Sequence, residues 1–411
     1  MWQLLFWGSL GLVLYTYVGY PLVLLAISRT RRRRETLAPA DASPSVCVIV
    51  SAYNEEKVIR QKLENTLALA YDGPLSIVVA SDGSDDRTVA IAREYEDHGV
   101  HIHHSPLRRG KNTVLNEVVR ERREEILVFT DGNSLLAGDA IVRLAGRFRA
   151  PSIGCVVGEL KYSHDVTSVG EGESLYWRYE SMIKTLESRL ESVLVANGAI
   201  FSIRRELFRD LFPDVANDFQ SPFDVANQGH GTVYEPRALA VEHSTELWGE
   251  EFERKVRVVM RGITGFTRLR TRMHGLRLWQ LISHKLIRWC VGGALIVNFV
   301  ASIVLAARGW FFAGFLALQG LCYLAALGGW LMRGRERMPR ALYVPFYFTM
   351  VNWAALVAMM RVLVGRRQVV WDKAESTRSV AMVTPVPGYS SGPIEAVAAA
   401  EHGARRHVIE K

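Results

Sequence analysis

Apolar residues are concentrated in two regions of the chain, and the region between them alternates short apolar runs with polar ones. Residues 1–28 contain no charged side chain. A helix of that length, at about 1.5 Å per residue, exceeds a hydrocarbon core of about 30 Å. Three further apolar stretches cover approximately 290–307, 310–332 and 341–364. The pattern therefore predicts about four membrane helices, with a polar middle region at 44–263 between the first and the second.

Basic residues follow the first apolar stretch, with arginines at 29 and 31–34. A cleaved signal peptide has the opposite order: a basic start, a shorter apolar core and a small-residue cleavage site. We therefore predict a retained anchor. Because arginine-rich flanks stay on the cytosolic side, the N-terminus is predicted outside the inner (plasma) membrane and the middle region in the cytosol.

The last apolar stretches give conflicting signals about their orientation. The loop 333–340 and the exit at Arg366 and Arg367 are both basic, although a full span lies between them. Pro345 and Asn352 lie in that span. We expect it to bend, re-enter or lie partly within protein, because a broken helix in lipid must satisfy its freed backbone groups elsewhere.

Two segments border the apolar region 290–365. Residues 264–289 alternate Arg, Lys and His with Leu, Ile and Trp at near-helical spacing. This pattern predicts amphipathic helices at the membrane interface, with a basic helix packed on the middle region as the alternative. Residues 377–411, which begin TRSVAMVTPVPGYSSGP, are predicted to be a flexible tail.

Composition and charge narrow the possible partners. The formal net charge of +8 is explained by the arginines near the apolar segments, so membrane lipids are the expected partner of this charge. No nucleic-acid recognition motif accompanies it, and we predict no nucleic-acid partner. The four cysteines are widely scattered without a CxxC spacing, which predicts neither a disulfide framework nor a zinc site.

The middle region alternates strand-like and helical runs. VCVIVSA, LSIVVAS, VHIHH and EILVFT are the strand-like runs, and helical patterns follow the first three of them. This order predicts an α/β fold with a mostly parallel sheet and helices on both faces. In such sheets, ligands bind outside the carboxyl ends of the strands.

Polar clusters follow three of the predicted strands at that edge. They are Asn54-Glu55-Glu56, Asp82-Gly83-Ser84-Asp85-Asp86 and Asp131-Gly132-Asn133. A carboxylate after the second strand can accept hydrogen bonds from a nucleobase or ribose. A carboxylate followed two residues later by another oxygen ligand can hold Mg²⁺ or Mn²⁺ against a diphosphate. Each aspartate alone could instead cap the helix that follows it.

The motifs of the middle region, taken in order, resemble a known family. They are SAYNEE, SDGSDDRT, GKNTVLN, FTDGN, NGAIFSIRRELF and NDFQSPFDVANQGHGTVYEP. The chain resembles the family 2 glycosyltransferases of the GT-A fold, especially the membrane-embedded relatives of cellulose, hyaluronan and poly-N-acetylglucosamine synthases. The resemblance covers the middle region and, more loosely, the apolar flanks. It implies a Rossmann-like GT-A domain inserted between membrane helices.

The resemblance also implies a nucleotide-sugar site, with a UDP-sugar as the expected donor. Its residues would be Ala52, Tyr53, Asn54, Glu55, Asp82 at the base, Lys111 and Asp131. Asp131-Gly132-Asn133 stands where the family has its DxD metal motif, so Asp131 and Asn133 would hold Mg²⁺ or Mn²⁺. Asn133 departs from the family pattern because it is an amide.

The resemblance assigns the catalytic base and the acceptor contacts as well. Asn217-Asp218 matches the family's acidic pair and implies Asp218 as the general base. Asn197 and Gly198 fall where family members contact the acceptor or donor sugar. Val258 stands where processive relatives have the Trp of a QxxRW motif, which argues against sustained polymerisation.

Three arginines provide a second source of positive charge for a leaving diphosphate. Arg254, Arg257 and Arg261 are spaced by three and four residues, which places them on one side of a helix. They are predicted to contact the nucleotide diphosphate, with pairing to membrane phospholipid as the alternative.

The main prediction is an inverting, metal-dependent membrane glycosyltransferase. It would transfer a sugar to a lipid-linked or polysaccharide acceptor for a surface polysaccharide, with other assembly or export proteins as possible partners. One alternative is a processive synthase that also translocates its polymer. A different alternative, motivated by the amides Asn133 and Asn217, is a catalytically weak binding subunit of an export complex.

Overall fold

A computed structural model describes residues 1–30, 43–163, 168–190, 192–243, 247–335 and 338–366, with side chains except at 163 and 168–177. The arginine run at 31–34 and the predicted flexible tail lie outside these residues.

Eight strands form one mixed sheet. They are β1 Val46–Ala52, β2 Leu75–Asp82, β3 Val100–Ser105, β4 Ile126–Asp131, β5 Leu135–Leu136, β6 Ile153–Ser163, β7 Phe201–Arg204 and β8 Gly231–His243. Their order across the sheet is β3-β2-β1-β4-β7-β6-β8-β5. The first four strands are parallel, which confirms the predicted α/β core. In the other half, β7 is antiparallel to both neighbours, β6 and β8 are parallel, and β5 is antiparallel to β8.

Eleven longer helices are present in the described residues. They are α1 Trp2–Thr30, α2 Ile59–Leu67, α3 Thr88–Arg93, α4 Lys111–Glu121, α5 Ala140–Arg147, α6 Ser168–Ser188, α7 Asn217–Asn227, α8 Trp248–Arg268, α9 Gly275–Arg308, α10 Trp310–Leu331 and α11 Arg340–Leu363.

The central strands are buried on both faces. Val46, Val48 and Val50 of β1 belong to one apolar core, and Cys47 and Ile49 belong to the core on the opposite face. A strand covered on both sides has no polar face, which explains the continuous apolar run in the sequence. The same parallel arrangement brings the carboxyl ends of β1, β2 and β4 to one edge of the sheet.

Helices α1, α9, α10 and α11 are long and apolar enough to cross a membrane, by length and composition. They correspond to the four predicted spans. Phe6 of α1 packs against Phe312 and Phe315 of α10, and its carbonyl accepts a hydrogen bond of 2.9 Å from Asn298 of α9. Polar contacts of this kind join apolar helices where water is excluded.

The residues of the predicted interface segment belong to two helices. Its first residues end α8, and the residues from Gly275 onward begin α9. No proline interrupts α9, so the helix continues into the apolar stretch.

The last apolar stretch forms one continuous helix, α11, which contains Pro345 near its start. Asn352 donates to the Phe348 carbonyl at 2.8 Å and to the Tyr17 hydroxyl at 3.3 Å. The expectation that this stretch lies partly within protein agrees with the structure, because α11 is the most buried of the four apolar helices.

Candidate active site

One cavity of about 400 Å³ opens at the carboxyl ends of β1, β2 and β4 and extends to α8, α9 and α11. Its size is typical of a small-molecule site. All the predicted site residues except Asn54 line it. They are Ala52, Tyr53, Glu55, Asp82, Lys111, Asp131, Asn133, Asn197, Gly198, Asp218, Arg254, Arg257 and Arg261.

Asp82, the last residue of β2, is fixed by backbone donors. Its carboxylate accepts hydrogen bonds from the backbone N–H of Arg109 at 2.7 Å and of Gly110 at 3.0 Å. Burial raises the pKa of this carboxyl, and the two backbone donors oppose the shift. Beside it, the Arg108 guanidinium lies 3.8 Å from the centre of the Tyr53 ring. A stacked tyrosine and arginine next to a fixed carboxylate form a slot suited to a nucleobase.

Asn54 does not line the cavity, which corrects its predicted role. Its backbone has a φ of 53°, a left-handed conformation that asparagine tolerates. Its side chain donates to Asp85 Oδ1 at 2.6 Å and accepts from the Asp85 N–H at 3.0 Å. The amide therefore joins the loops after β1 and β2. It supports the wall of the slot from behind.

Asp131 lies at the centre of the cavity wall, at the end of β4. Its Oδ1 pairs with the Lys111 ammonium, which the first residue of α4 provides. A Cβ at Gly198 would lie 2.9 Å from Asp131 Oδ2, so only glycine leaves this carboxylate undisturbed. Asn197 donates to the Gly158 carbonyl at 2.8 Å and accepts from the Ile200 N–H at 3.0 Å. These bonds hold the turn that presents Gly198 to Asp131.

The residues around Asp131 fit a divalent cation that is shared with a ligand. Among the described residues, no group of three or more His, Cys, Asp or Glu side chains forms a complete metal site. Asp131 and Asn133 offer one carboxylate and one amide oxygen on the same wall. Mg²⁺ at nucleotide sites is typically held by one or two carboxylates together with phosphate oxygens and water. The donor set therefore suits a cation brought together with a diphosphate.

Asp218, near the start of α7, lies where several charged side chains meet. Burial raises the pKa of its carboxyl above the ordinary 3.8, Asp131 adds to the rise, and the positive charges of Lys111, Arg261 and Lys184 oppose it. The backbone carbonyl of Asp218 accepts a hydrogen bond of 2.8 Å from the Ala196 N–H, next to the Asn197 turn. A carboxylate made more basic by burial and held among cations can accept a proton.

The three predicted arginines lie on α8 and all face the cavity. Arg254 donates to Glu251 at 2.7 Å and to the Tyr162 hydroxyl at 2.9 Å, while Arg261 donates to the Val215 carbonyl at 2.6 Å. Burial lowers the pKa of Arg261, although Asp218 opposes the shift. Val258, between them, lines the cavity with 57% of its surface exposed.

A buried lysine beneath the Asp131 loop was missed by the sequence analysis. Lys62 of α2 is fully buried and donates to Thr130 Oγ1 at 2.9 Å and to the Ser134 carbonyl at 2.6 Å. Burial lowers the pKa of this amine to about 7. The sequence does contain a pattern that indicates this burial. The spacing of Lys62 from Ile59 and Thr66 places it on the buried face of α2.

The cavity has a second end against the apolar helices, which the sequence analysis also missed. We call it the membrane end, and it is lined by Tyr17, Glu180, Lys184, Lys285, Arg288, Val351, Asn352 and Ala355. These residues come from α1, α6, α9 and α11. Lys285 lies in a wide helical turn of α9, Ile282–Ile287. Such turns are often found at functional sites.

Glu180 organises the charges of the membrane end. Its carboxylate pairs with the Arg288 guanidinium and lies 3.8 Å from the Lys285 ammonium and 3.4 Å from His284 Nε2. Burial would raise the pKa of Glu180, but Arg288 and Lys285 hold it well below its usual range. The spacing of Glu180, Lys184 and Glu187 on α6 resembles that of surface ion pairs, so the sequence alone gave no reason to expect them in a cavity.

Comparisons with known proteins agree with this geometry. Residues 44–261 match the family model described as "Glycosyltransferase like family 2". The chain is 24% identical over 263 residues to an N-acetylglucosaminyltransferase of Sinorhizobium fredii, covering 57% of this chain and 62% of that protein. It is 23% identical over 219 residues to a poly-β-1,6-N-acetyl-D-glucosamine synthase of Staphylococcus epidermidis, covering 52% and 53%. The matches thus span only part of these curated relatives.

A solved structure has the same fold as this chain. It is the mannosyltransferase PcManGT of Pyrobaculum calidifontis, in complex with GDP-Man and Mn²⁺, which aligns with a TM-score of 0.66. The alignment has 21% sequence identity and covers 87% of this chain and 99% of that one. The predicted GT-A fold is therefore confirmed. Since the family model matches more than half of its residues, this chain belongs to the family 2 glycosyltransferases.

Proposed function

We propose that this chain is an inverting glycosyltransferase that moves one sugar at a time from a nucleotide sugar to an acceptor hydroxyl at a membrane. The observation that carries the proposal is the meeting of Asp131, Lys111 and Asp218 in one cavity, beside the slot formed by Tyr53, Arg108 and Asp82. A slot for the nucleobase, a site for the diphosphate and a general base meet in one cavity, as sugar transfer from a nucleotide sugar requires.

The donor would bind with its base against Tyr53 and Arg108 and with Asp82 accepting hydrogen bonds from the base or ribose. Lys111 and Arg261 would then face the diphosphate, where positive charge stabilises the leaving group. UDP-sugars are the proposed donors, because the matched relatives named above are transferases and synthases of N-acetylglucosamine. Asn197 and Gly198 would border the transferred sugar.

The transfer is a single displacement. The acceptor hydroxyl oxygen forms a bond to the anomeric carbon as the bond from that carbon to the diphosphate oxygen breaks. The electron pair of the broken bond leaves with the nucleoside diphosphate, and the hydroxyl proton goes to Asp218. Attack from the face opposite the leaving group inverts the anomeric configuration. Burial raises the pKa of Asp218, which makes it a stronger base.

Asp131 and Asn133 would hold Mg²⁺ or Mn²⁺, which supplies further positive charge against the diphosphate when bound. Lys111 pairs with Asp131 and stays within reach of the same phosphates. A site with one carboxylate and one amide has less negative charge than a pair of carboxylates, so we expect cation binding to depend strongly on the bound diphosphate.

We place the catalytic domain, residues 44–263, on the cytosolic side of the inner membrane, anchored by α1 and by α9 to α11. The acceptor is a lipid-linked or polysaccharide substrate of surface polysaccharide synthesis. Val258 supports single addition over processive synthesis, since it offers no aromatic platform for a growing chain at the cavity wall.

Nucleotide release from the purified full-length protein in nanodiscs tests this proposal. A panel of UDP- and GDP-sugars would be assayed with Mg²⁺, with Mn²⁺ and with EDTA, in the presence of a membrane lipid extract as the acceptor source. We expect cation-dependent release with one donor and a product one sugar longer than its acceptor. Absence of release with every donor would reject the enzyme, and a long polymer would favour the processive alternative.

A further inference from the structure

The membrane end of the cavity is cationic, and the donor chemistry proposed above does not use it. Its described lining includes three cationic side chains, Lys184, Lys285 and Arg288, and one carboxylate, Glu180. Glu159, behind this wall, accepts hydrogen bonds from Ser181 at 2.9 and 3.1 Å. The wall itself therefore carries more positive than negative charge.

These cationic groups are held in defined positions. The Arg288 guanidinium pairs with Glu180 and lies 5.9 Å from the Tyr17 ring centre and 5.5 Å from that of Tyr179. The Lys285 ammonium lies 3.8 Å from Glu180. Side chains that are fixed before a ligand arrives lose little entropy on binding it, as expected of a binding site.

Burial of the cationic side chains favours the binding of an anion at the membrane end. Lys184 is 4% exposed, and burial lowers its pKa, while Glu180, Glu159 and Asp218 oppose the shift. The side chains of Lys285 and Arg288 are 16% and 12% exposed. Positive charges removed from water are stabilised when a counter-charge binds among them.

The location indicates which kind of anion would arrive. Lys285 and Arg288 belong to α9, a candidate membrane span, while Val351 and Ala355 of α11 add an apolar wall. Charged and apolar surfaces meet here in the way that a lipid headgroup meets its acyl chains. The cations also connect to the chemistry, because Lys184 is near enough to Asp218 to affect its pKa.

We propose that the membrane end binds the phosphate of a membrane lipid, through Lys184, Lys285 and Arg288, and that this lipid carries the acceptor hydroxyl to Asp218. The inference rests on the function proposed above and names its acceptor class. The lipid phosphate takes no part in bond making. It is held while the hydroxyl oxygen bonds to the anomeric carbon and the proton passes to Asp218.

The acceptor class is tested with the full-length protein in phosphatidylcholine nanodiscs. These are doped with diacylglycerol, with phosphatidylglycerol, or with a membrane extract that contains lipid-linked saccharides. Diacylglycerol and phosphatidylglycerol both offer a free hydroxyl, but only the second carries a phosphate beside it. Radiolabelled sugar is counted in the organic phase, and nucleoside diphosphate release is measured in parallel with and without acceptor.

Three variants separate the acceptor site from the donor site. Lys184→Met and Lys285→Gln each remove one cation of the membrane end. Arg178→Met removes an exposed cation from α6, the helix that carries Lys184, and serves as the matched control. Lys285→Gln provides a second test if the more deeply buried Lys184 variant does not fold. Monodisperse elution and retained binding of the nucleoside diphosphate, measured by calorimetry, verify the fold of each variant.

We expect label to enter phosphatidylglycerol or an extracted lipid-linked saccharide, and these two arms identify the source of the phosphate. Lys184→Met and Lys285→Gln should raise the KM for that lipid about tenfold or more, as expected for loss of a charge-assisted contact. Their KM for the donor should change less than about twofold, and Arg178→Met should behave as wild type.

Three outcomes would overturn the lipid-phosphate assignment. They are label in diacylglycerol alone, label only in water-soluble glycans, and donor hydrolysis without any labelled lipid. An unchanged lipid KM in both variants that remove a membrane-end cation would overturn it as well. Absence of nucleotide release with every donor would instead reject the function on which the inference rests.

Discussion

The two ends of the cavity are built in different ways. At the nucleotide end, Asp82 and Asp131 terminate β2 and β4, the two parallel strands on either side of β1, and backbone N–H groups or a first-turn lysine fix their carboxylates. At the membrane end, Tyr17, Glu180 and Arg288 come from helices far apart in the sequence, and their side chains contact one another. The first end depends on the sheet, whereas the second depends on the packing of four helices.

This difference predicts which variants affect chemistry and which affect assembly. Changes near Asp131 and Asp218 should lower activity in a protein that remains folded. Changes at the membrane end should disturb either folding or acceptor binding. The following variants test that division, from the largest expected effect to the smallest.

Asp218→Asn should have the largest effect on activity. It removes the proposed proton acceptor and keeps the shape of the side chain, so transfer should fall by about 10²–10⁴-fold. Binding of the nucleoside diphosphate, measured by calorimetry, should change less than about twofold, because the base acts on the acceptor. Asp224→Asn on the same helix is the control, since Asp224 bonds to Gln220 and does not line the cavity. Full activity of Asp218→Asn would refute the mechanism.

Glu180→Gln should cost the most stability at the membrane end. Removal of this carboxylate leaves Arg288 and Lys285 buried without their counter-charge, which costs about 3 kcal/mol or more. A lowered Tm in nanodiscs is the expected result. In the exposed pair of Arg60 and Glu94, 2.7 Å apart, Glu94→Gln should cost less than about 1 kcal/mol. Equal Tm changes for the two variants would show that the membrane end is not a buried charge site.

Gly198→Ala should lower activity with little change in stability. The new methyl group would displace the Asp131 carboxylate, whose Oδ2 lies 2.9 Å from the position that the added Cβ would occupy, and this side chain can rotate away at low cost. Transfer should fall about tenfold, because misplaced groups at a reacting centre are costly. The cation concentration needed for half-maximal release should rise. Gly146→Ala in α5 has no heavy atom within 4 Å of its Cβ and is the control. An unchanged cation requirement would remove Asp131 from the proposed cation site.

The smallest effect should appear in the pH profile of Lys184→Met. Asp218 must be ionised to accept a proton, so activity falls at acid pH, and burial places this limb above the ordinary 3.8. The charge of Lys184 lowers the pKa of Asp218. Its loss should therefore move the acid limb of kcat/KM to higher pH, by less than about one unit at typical protein screening. A shift in the opposite direction, or an equal shift in Arg178→Met, would contradict this prediction. It would show that the charge of Lys184 at the membrane end does not act on Asp218.

The contrast between the two ends also explains what the sequence could predict. The strands β1, β2 and β4 were predictable because both of their faces are apolar and each ends at a polar cluster. The pairing of β5 to β8 was not, since it depends on contacts between distant segments. Asn54 was misassigned because a motif gives the residue and not the direction of its side chain.

The membrane end was not predictable for a related reason. Glu180 and Lys184 have the spacing of an ordinary surface pair, and only the position of α9 shows that they are buried. The continuity of α9 across the predicted segment boundary was not predictable, because the basic residues of its first turns resemble a separate interface helix. Their partners lie on α6, which no local pattern could indicate.

The pairing of Glu180 with Arg288 has a consequence for biosynthesis. The two residues are 108 positions apart, and the later one belongs to a helix that is itself a candidate membrane span. A nascent chain that has completed its sheet still presents Glu180 to water, because its partner has not yet been synthesised. Pairing of Glu180 with Arg288 must therefore wait for synthesis and insertion of α9. The acceptor side of the enzyme would be completed only in molecules whose later membrane helices are correctly placed, which couples catalytic maturation to membrane integration.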